Sequence, residues 1–411
     1  MELEIKQSFK QTEVGLIPED WRVVKLHKTL DKENLPSGLY KDKNLYGDGS
    51  KIIKLGDVFA YDYFQPQFAQ RVKISKEESI NYQIKIDDLI VALASVKLEG
   101  VGKVLLVRNI DEPTVYDHNV ALIRLQEGFH ASYFAHIFKS GRLRLQVSKN
   151  ATQVGTTFLK ASSLKKFNIP LPPTLAEQKA IATALSDVDD LISSLDALIA
   201  KKKAIKQGAM QQLLTPPHKG GKRLDGFDGE WAETSLGEFA KIDMGQSPLS
   251  SNYNTSGDGL PLVQGNADIN NRKTIIRNYT SQITKKADKG DIIMSVRAPV
   301  GEIAIAAFDC CIGRGVCSLK SNNDFLYQFL VFFETSWAKF STGSTFDSIN
   351  SNQLKELTFL APVDEDEQKA IAQILSDMDE ELEELATKKE KYEHIKQGMM
   401  QELLTGKTRL V

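Results

Sequence analysis

Two Glu-x-Lys triplets, Glu177/Lys179 and Glu367/Lys369, carry the residue types of a metal-dependent nuclease centre. That chemistry needs strand geometry and an upstream acid to share the metal. Here both triplets open a helix, so no nuclease centre is expected. Six histidines (His27, His118, His130, His136, His218, His394) form no close cluster and read as ordinary surface or core residues. There is no P-loop, no His-Glu-x-x-His and no Asn/Asp-Pro-Pro-aromatic methyltransferase motif. Gly257-Asp-Gly259 is a turn signal rather than a nucleotide loop. Cys310, Cys311 and Cys317 are odd in number and two are adjacent. They fit neither a disulfide framework nor a zinc site, which points to a reducing cytoplasm. No catalysis, metal or cofactor is expected of this chain.

The chain is instead organised around a stretch that occurs twice. Glu177 to Thr215 and Glu367 to Thr405 align without a gap at an offset of 190, with 21 of 39 positions identical. A long-period repeat decides the architecture before any local reading. In the first copy Ile181, Leu185, Val188, Ile192, Leu195 and Ile199 make the alternating four-three seam of a coiled coil. The second gives Ile371, Leu375, Met378, Leu382 and Leu385. Each seam then meets a lysine, Lys202 or Lys389, and the stripe is expected to shift to Ile205/Ala209/Leu213 and Ile395/Met399/Leu403. Thr174 to Glu177 and Asp364 to Glu367 both fit a capping box. Pro216-Pro217 and Gly406 mark the ends. About 38 residues at ~1.5 Å rise make a rod of roughly 57 Å. Gly208 and Gly398 recur at one repeat position, which suggests either close helix–helix approach or frayed ends.

The 411-residue length fits two or three domains, and no run of 18 apolar residues or signal-peptide core is present. The net charge of −2 hides an asymmetry. Residues 1–170 hold 25 Lys/Arg against 20 Asp/Glu, whereas residues 361–411 hold 7 against 13. This is no polybasic nucleic-acid binder, so any DNA contact must use local patches or a partner's basic surface.

The repeat extends beyond the helices. Asp20-Trp21 and Glu230-Trp231 each close a similar opening segment. Lys51–Asp57 pairs with Leu262–Asp268, and Asp87–Leu93 with Gly290–Val296, as β-branched runs suited to strands. Val101–Val107 pairs with Val300–Ile305, and the polar loops Gly155–Phe158 and Gly343–Phe346 correspond. The middles diverge, as binding modules of different specificity would. The order is globular, rod, globular, rod. If the rods pair antiparallel, a pseudo-twofold axis crosses them. Such an object suits a duplex, with unlike modules on unlike half-sites separated by at most roughly 16 base pairs.

The opening Glu13-Val-Gly-Leu-Ile-Pro-Glu-Asp-Trp21, the Glu-Gln-Lys-Ala-Ile-Ala helix starts, the Lys-Gln-Gly-x-Met-Gln-x-Leu-Leu-Thr endings and Gly406-Lys407-Thr-Arg409 carry a resemblance over nearly the whole chain. The chain resembles the specificity subunit of type I restriction-modification systems. The resemblance implies an α+β protein of two mixed α/β target recognition domains with strand-rich cores, residues 1–173 and 216–363. Two long helices, residues 174–215 and 364–411, would form an antiparallel coiled coil, with internal duplication and pseudo-twofold symmetry. It further implies that each domain reads half of a bipartite DNA site through the major groove. Two modification subunits, which use S-adenosylmethionine, would dock on the helices. Restriction subunits would add ATP- and Mg2+-dependent translocation and cleavage. The chain itself would be non-catalytic.

Base readout needs donors and acceptors on loops at the groove. The candidates are Lys54, Arg71, Lys73, Lys97, Gln153 and Thr157 in the first domain. In the second they are Gln264, Asn266, Arg272, Lys273, Arg297, Arg314 and Thr345. Lys97 and Arg297 are preferred, because each follows the matched strand. Two other readings predict different behaviour. A duplicated coiled-coil scaffold for protein binding would show no affinity for a specific duplex even with partners. A standalone DNA-modifying enzyme would methylate or cut alone. The exposed apolar helix faces also make self-association possible when the chain is isolated.

Overall fold

Two helices of 39 residues, Leu175–Leu213 and Glu365–Leu403, carry the repeated stretch in the computed structural model, which describes residues 8–32, 35–339 and 348–410. The Thr174 hydroxyl caps the first helix by accepting from the Glu177 N–H at 3.1 Å. Asp364 caps the second through the Asp366 N–H at 2.8 Å. The reciprocal half of the expected capping boxes does not form. Both glutamates turn their carboxylates to arginines instead, Glu177 to Arg409 and Glu367 to Arg223.

The apolar seam is deepest where each helix starts. Ile181, Ala182 and Leu185 are buried in one copy, and Ile371, Ala372 and Leu375 in the other. The expected shift of the stripe holds at its far end, where Leu213 and Leu403 are buried and Ala209 and Met399 pack against the cores, and fails at Ile205 and Ile395, whose side chains are exposed. Lys206 points inward in their place, where Asp379 neutralises it. The close approach suggested by Gly208 and Gly398 is also absent. A Cβ at either would meet nothing within 4 Å, and both lie inside the helix with more than a turn still to run. Their recurrence has no packing reason among the described residues.

Packing divides the chain into two compact units. The first is Met1–Leu195 with Lys388–Val411, and the second is Asp196–Thr387. Each unit therefore combines one globular part with the first half of one long helix and the last half of the other. Within each unit those halves run antiparallel. Arg409, beyond the end of one helix, binds Glu177 at the start of the other, and Lys206 binds Asp379.

In the first unit, strand Leu89–Ala92 lies between Val104–Leu106 and Val120–Ile123, all antiparallel. Its four residues are all buried. Alternation sends Leu89 and Val91 to a core shared with helix Ala131–Lys139, Ile181, Leu185 and Leu403. Ile90 and Ala92 face a second core with Ile53, Leu105 and Tyr116. Burial on both faces is why this strand reads as an unbroken apolar run. Tyr46–Ile53 pairs with Gln70–Val72 and, in parallel, with Thr114–Tyr116. The hairpin Ala151–Val154/Thr156–Leu159 adds to Ala94–Ser95.

The second unit repeats this logic. Ile292 and Met294 of strand Ile292–Ser295 face a core that includes Phe325, Leu330, Ile371 and Leu375, while Ile293 faces the other side. That strand belongs to a six-stranded sheet, and a five-stranded sheet and the pair Trp231–Ser235/Thr358–Pro362 complete the strands described in this unit. No described helix is long and apolar enough to cross a membrane, and no His/Cys/Asp/Glu group among the described residues could hold a metal.

Candidate nucleic-acid interface

In the second unit the turns after three strands converge. Gly313 N–H donates to Val263 O at 2.8 Å, Val296 N–H to Gly315 O at 2.9 Å, and Ile349 N–H to Val296 O at 2.9 Å. Gln264, Arg297 and Arg314 therefore gather at one end of the sheets. Arg297 and Arg314 are exposed, and neither guanidinium has a partner among the described residues. The Gln264 backbone is pinned by Asp268, which accepts from its N–H at 2.7 Å, and its side chain leans on Gly313. Two unpaired guanidiniums beside an amide suit the bidentate reading of guanine and adenine edges. Asn266 joins this end but is committed, since its amide donates to Glu302 and, at 3.3 Å, to Pro299 O.

The remaining second-unit candidates lie elsewhere. Arg272 makes a fork on Glu334 at 2.7 and 2.6 Å and also donates to Ile303 O. Lys273 pairs with Glu383 on the long helix at 2.5 Å. The expectation of base contacts by Asn266 and Arg272 is corrected, because each is held by a carboxylate of its own unit, whereas Lys273 and Glu383 are both exposed and their pairing leaves Lys273 open to a ligand. Thr345 lies outside the described residues.

In the first unit Ser95 pairs with Thr157, and Thr157 with Gln153, so Lys97 and Gln153 share one sheet neighbourhood. Lys97 is exposed and its ammonium has no partner among the described residues. Thr157 is corrected too. It is 1% exposed, and its hydroxyl faces inward without a hydrogen bond. Its neighbours Val96 and Phe158 are exposed instead, at 78% and 50%. Sequence reading missed these two. An apolar residue on an open loop is the available signal, and such side chains can meet a thymine methyl. Lys54, Arg71 and Lys73 form a separate group on the Tyr46–Ile53 sheet. Lys54 lies 4.4 Å over the Tyr46 ring and donates to Gln70. Arg71 binds Glu112 at 2.6 Å and Gly49 O. Lys73 is 3.7 Å from Asp48 and otherwise open.

Lys97 and Arg297 are not structural equivalents. The bond from Leu159 N–H to Leu93 O matches that from Ile349 N–H to Val296 O. This aligns Arg297 with Ala94, each bridging to the strand beyond. The first unit's loop is four residues longer before it rejoins the frame at Gly102, as the shorter one does at Gly301. Frame residues coincide and the exposed candidates do not.

The sequence reading also missed a polar lock that occurs in both units. Asp189 binds Lys396, and Asp379 binds Lys206 at the equivalent repeat positions. Ser186 meets His136 Nε2 at 3.1 Å, and Ser376 meets the Gln328 amide at 3.4 Å. His136 Nδ1 lies 3.9 Å from Asp189, close enough for an ion pair. Burial, with Lys139 adding to it, nevertheless outweighs that carboxylate and pushes the imidazole down to about 4, so it is neutral. Burial likewise raises the Tyr63 hydroxyl well above its usual range, and that hydroxyl donates to Asp189. The identity of Asp189/Asp379 and Lys206/Lys396 between the repeats is the sequence signal that could have found this lock.

A duplicated α+β frame, halves of two long helices paired antiparallel, and unlike polar loops at matching sheet ends make the architecture of a two-module recognition protein. Comparisons with known proteins agree. The family model described as type I restriction modification DNA specificity domain matches residues 18–207 and again 228–394. A Methanocaldococcus jannaschii chain, provisionally described as the specificity subunit of type I restriction enzyme MjaX, is 34% identical over 98% of this chain and 97% of its own length. The Escherichia coli EcoBI specificity subunit is 28% identical over 48% of this chain and 46% of its own. The S subunit structure from M. genitalium shares the fold, with a TM-score of 0.64, 16% identity and 98% of both chains covered. A chain from a type I R-M system complex gives a TM-score of 0.55 at 22% identity, with 95% of this chain and 99% of that chain covered. The chain belongs to the type I restriction-modification DNA specificity family, whose specificity subunits select the target and do no catalysis themselves.

Proposed function

We propose that each unit reads one half of a bipartite duplex site, the first through Lys97, Gln153 and their apolar neighbours, the second through Gln264, Arg297 and Arg314. The observation that carries this reading is the contrast between a duplicated frame and unlike exposed ends. The Asp–Lys lock recurs position for position, whereas the exposed donors at the matching sheet ends do not. Two modification subunits holding S-adenosylmethionine would dock on the long helices. Restriction subunits using ATP and Mg2+ would complete the assembly in the cytoplasm. Exposed Leu198, Ile205 and Ile395 on those helices suit such partners.

The test is the adenine methylome of cells that express this chain with its modification subunit. A new motif of two specified blocks around a fixed spacer is expected. Exchanging residues 1–170 for those of a relative should change one block only. An assembled complex that methylates no new motif would overturn the reading and favour the protein-binding scaffold.

A further inference from the structure

Among the described residues, strand Arg22–Lys25 in the first unit is paired on one side only, with Asn168–Leu171. Leu26 N–H donates to Phe167 O at 2.9 Å, and the register sets Lys25 opposite Asn168, Val24 opposite Ile169 and Val23 opposite Pro170. Hydrogen-bonded pairs alternate along an antiparallel ladder. Val24 thus faces its partner strand, while Val23 and Lys25 turn their N–H and C=O groups outward. Pro170, which has no N–H, sits opposite Val23 as this phase requires. Neither Val23 nor Lys25 has a backbone partner among the described residues.

This open edge borders a cleft of about 520 Å³. Its floor is apolar, from Val23, Val24 and Phe129, and Gln126 is fixed at its wall by donating to Lys28 O at 2.7 Å. Arg22, Lys25 and Lys28 line it with one carboxylate, Glu13, so cations prevail three to one; all four are exposed, and none of the three cationic ends has a partner among the described residues. The equivalent edge of the second unit has the same phase, with Leu236 N–H on Leu357 O. Its side chains differ. Counting from the matched tryptophans, Ala232, Glu233, Ser235 and Glu238 stand where the first unit has Arg22, Val23, Lys25 and Lys28. The duplication keeps the strand and reverses the charge.

We propose that this edge of the first unit binds an extended acidic segment of a partner protein by strand addition. Outward N–H and C=O groups in alternation complement a peptide backbone, and the three cations complement acidic side chains on it. The apolar floor accepts every second residue. A DNA phosphate backbone fits less well, because it offers no donor to the two outward carbonyls and gains nothing from the floor. The site is asymmetric, since the second unit presents carboxylates at the same place. It stands independently of the DNA-reading proposal.

The test is fluorescence anisotropy of the full chain with a labelled peptide of about seven alternating Glu and Val residues, a strand's length. A Lys/Val peptide and a random-sequence duplex serve as comparators. Saturable binding of the acidic peptide alone is expected. Val23→Pro removes an outward N–H together with the Val23 side chain, so Val23→Ala is its control, and Val23→Pro should weaken binding about tenfold or more beyond that control. R22A/K25A/K28A, confined to exposed side chains, should do the same. No saturation by roughly 1 mM peptide overturns the proposal. So does binding that V23P leaves intact, which would mean charge without strand pairing. Binding of the duplex, lost in the triple variant, with none of the peptide would make the cleft a phosphate surface and overturn it equally.

Discussion

Arg409 holds Glu177 by a two-pronged contact, with Nε to Oε1 at 2.5 Å and Nη2 to Oε2 at 2.8 Å. Its nitrogens also reach both oxygens of Asp20, at 2.9 and 2.8 Å. Glu177 is 1% exposed, so Arg409 stands in for the water that its carboxylate has lost. Stranding a buried carboxylate costs about 3–5 kcal/mol. Arg409→Ala should therefore destabilise the first unit by that order, and Arg409→Lys, which keeps the charge but loses the fork, should recover part. Hydrogen exchange is the direct readout. Peptides covering Leu89–Ala92 and Ala131–Lys139 should exchange faster in Arg409→Ala, while those covering Ile292–Ser295 should not. Uniform acceleration would mean the contact matters to the whole chain rather than to this unit.

His136 makes the first unit sensitive to acid. Burial holds its folded value at about 4, below the ordinary imidazole value near 6.5. The unfolded chain therefore binds the proton first. The contribution is complete above about pH 6.5 and is lost as pH falls from there toward 4, by a few kcal/mol in all. Gln328 occupies the equivalent place in the second unit and donates to Ser376 without titrating. His136→Gln should keep the Ser186 contact and flatten the dependence. Melting temperatures at pH 7.5 and 5 should diverge for the natural chain and lie closer together for the variant.

Arg272 and Arg314 should separate structure from reading. The Arg272 fork on Glu334 is internal, so Arg272→Ala should lower the second unit's melting temperature and leave target choice alone. Arg314 is exposed and its guanidinium is unpaired among the described residues, so Arg314→Ala should melt as the natural chain does. If it reads a base, the variant relaxes one position of one methylated block, worth about 1–3 kcal/mol of discrimination. Equal loss across all sequences would mark a phosphate contact. Bisulfite-independent methylome mapping and calorimetry together distinguish the three outcomes.

The helices were legible because their signal is local and doubled. A seam such as Ile181/Leu185 and its copy Ile371/Leu375 needs only spacing. The buried strand Leu89–Ala92 was legible for the same reason, and both its faces proved apolar. What each glutamate at a helix start binds was not legible. Glu177 looks like a cap from its neighbours, but Arg409, 232 residues away, takes it. The partners of the candidate residues were equally hidden. Arg272 and Arg314 are the same residue type on similar loops, and only packing shows that one has a carboxylate partner at 2.6 Å. Thr157 sits in a polar stretch yet is buried, because its strand pairs with Ser95. Spacing reports elements well and reports long-range partners only where a repeat prints them twice, as at Asp189/Asp379.

That doubled lock yields the final prediction, since its two copies differ in burial. Asp189 is 7% exposed in its side chain, and Asp379 is 40% exposed. Lys396→Met leaves Asp189, among the described residues, with Lys139 at 3.9 Å as its one remaining cation in a largely dry site. Lys206→Met leaves Asp379 screened by water and accepting from Gln328 at 3.1 Å. The first change should cost about 2–3 kcal/mol and the second about 1 kcal/mol or less. Adding Asp189→Asn to Lys396→Met should return much of the loss, because the stranded charge is then gone. Urea denaturation of the four chains gives the comparison. Equal costs for the two lysines would show that burial of the carboxylate does not set the strength of this contact.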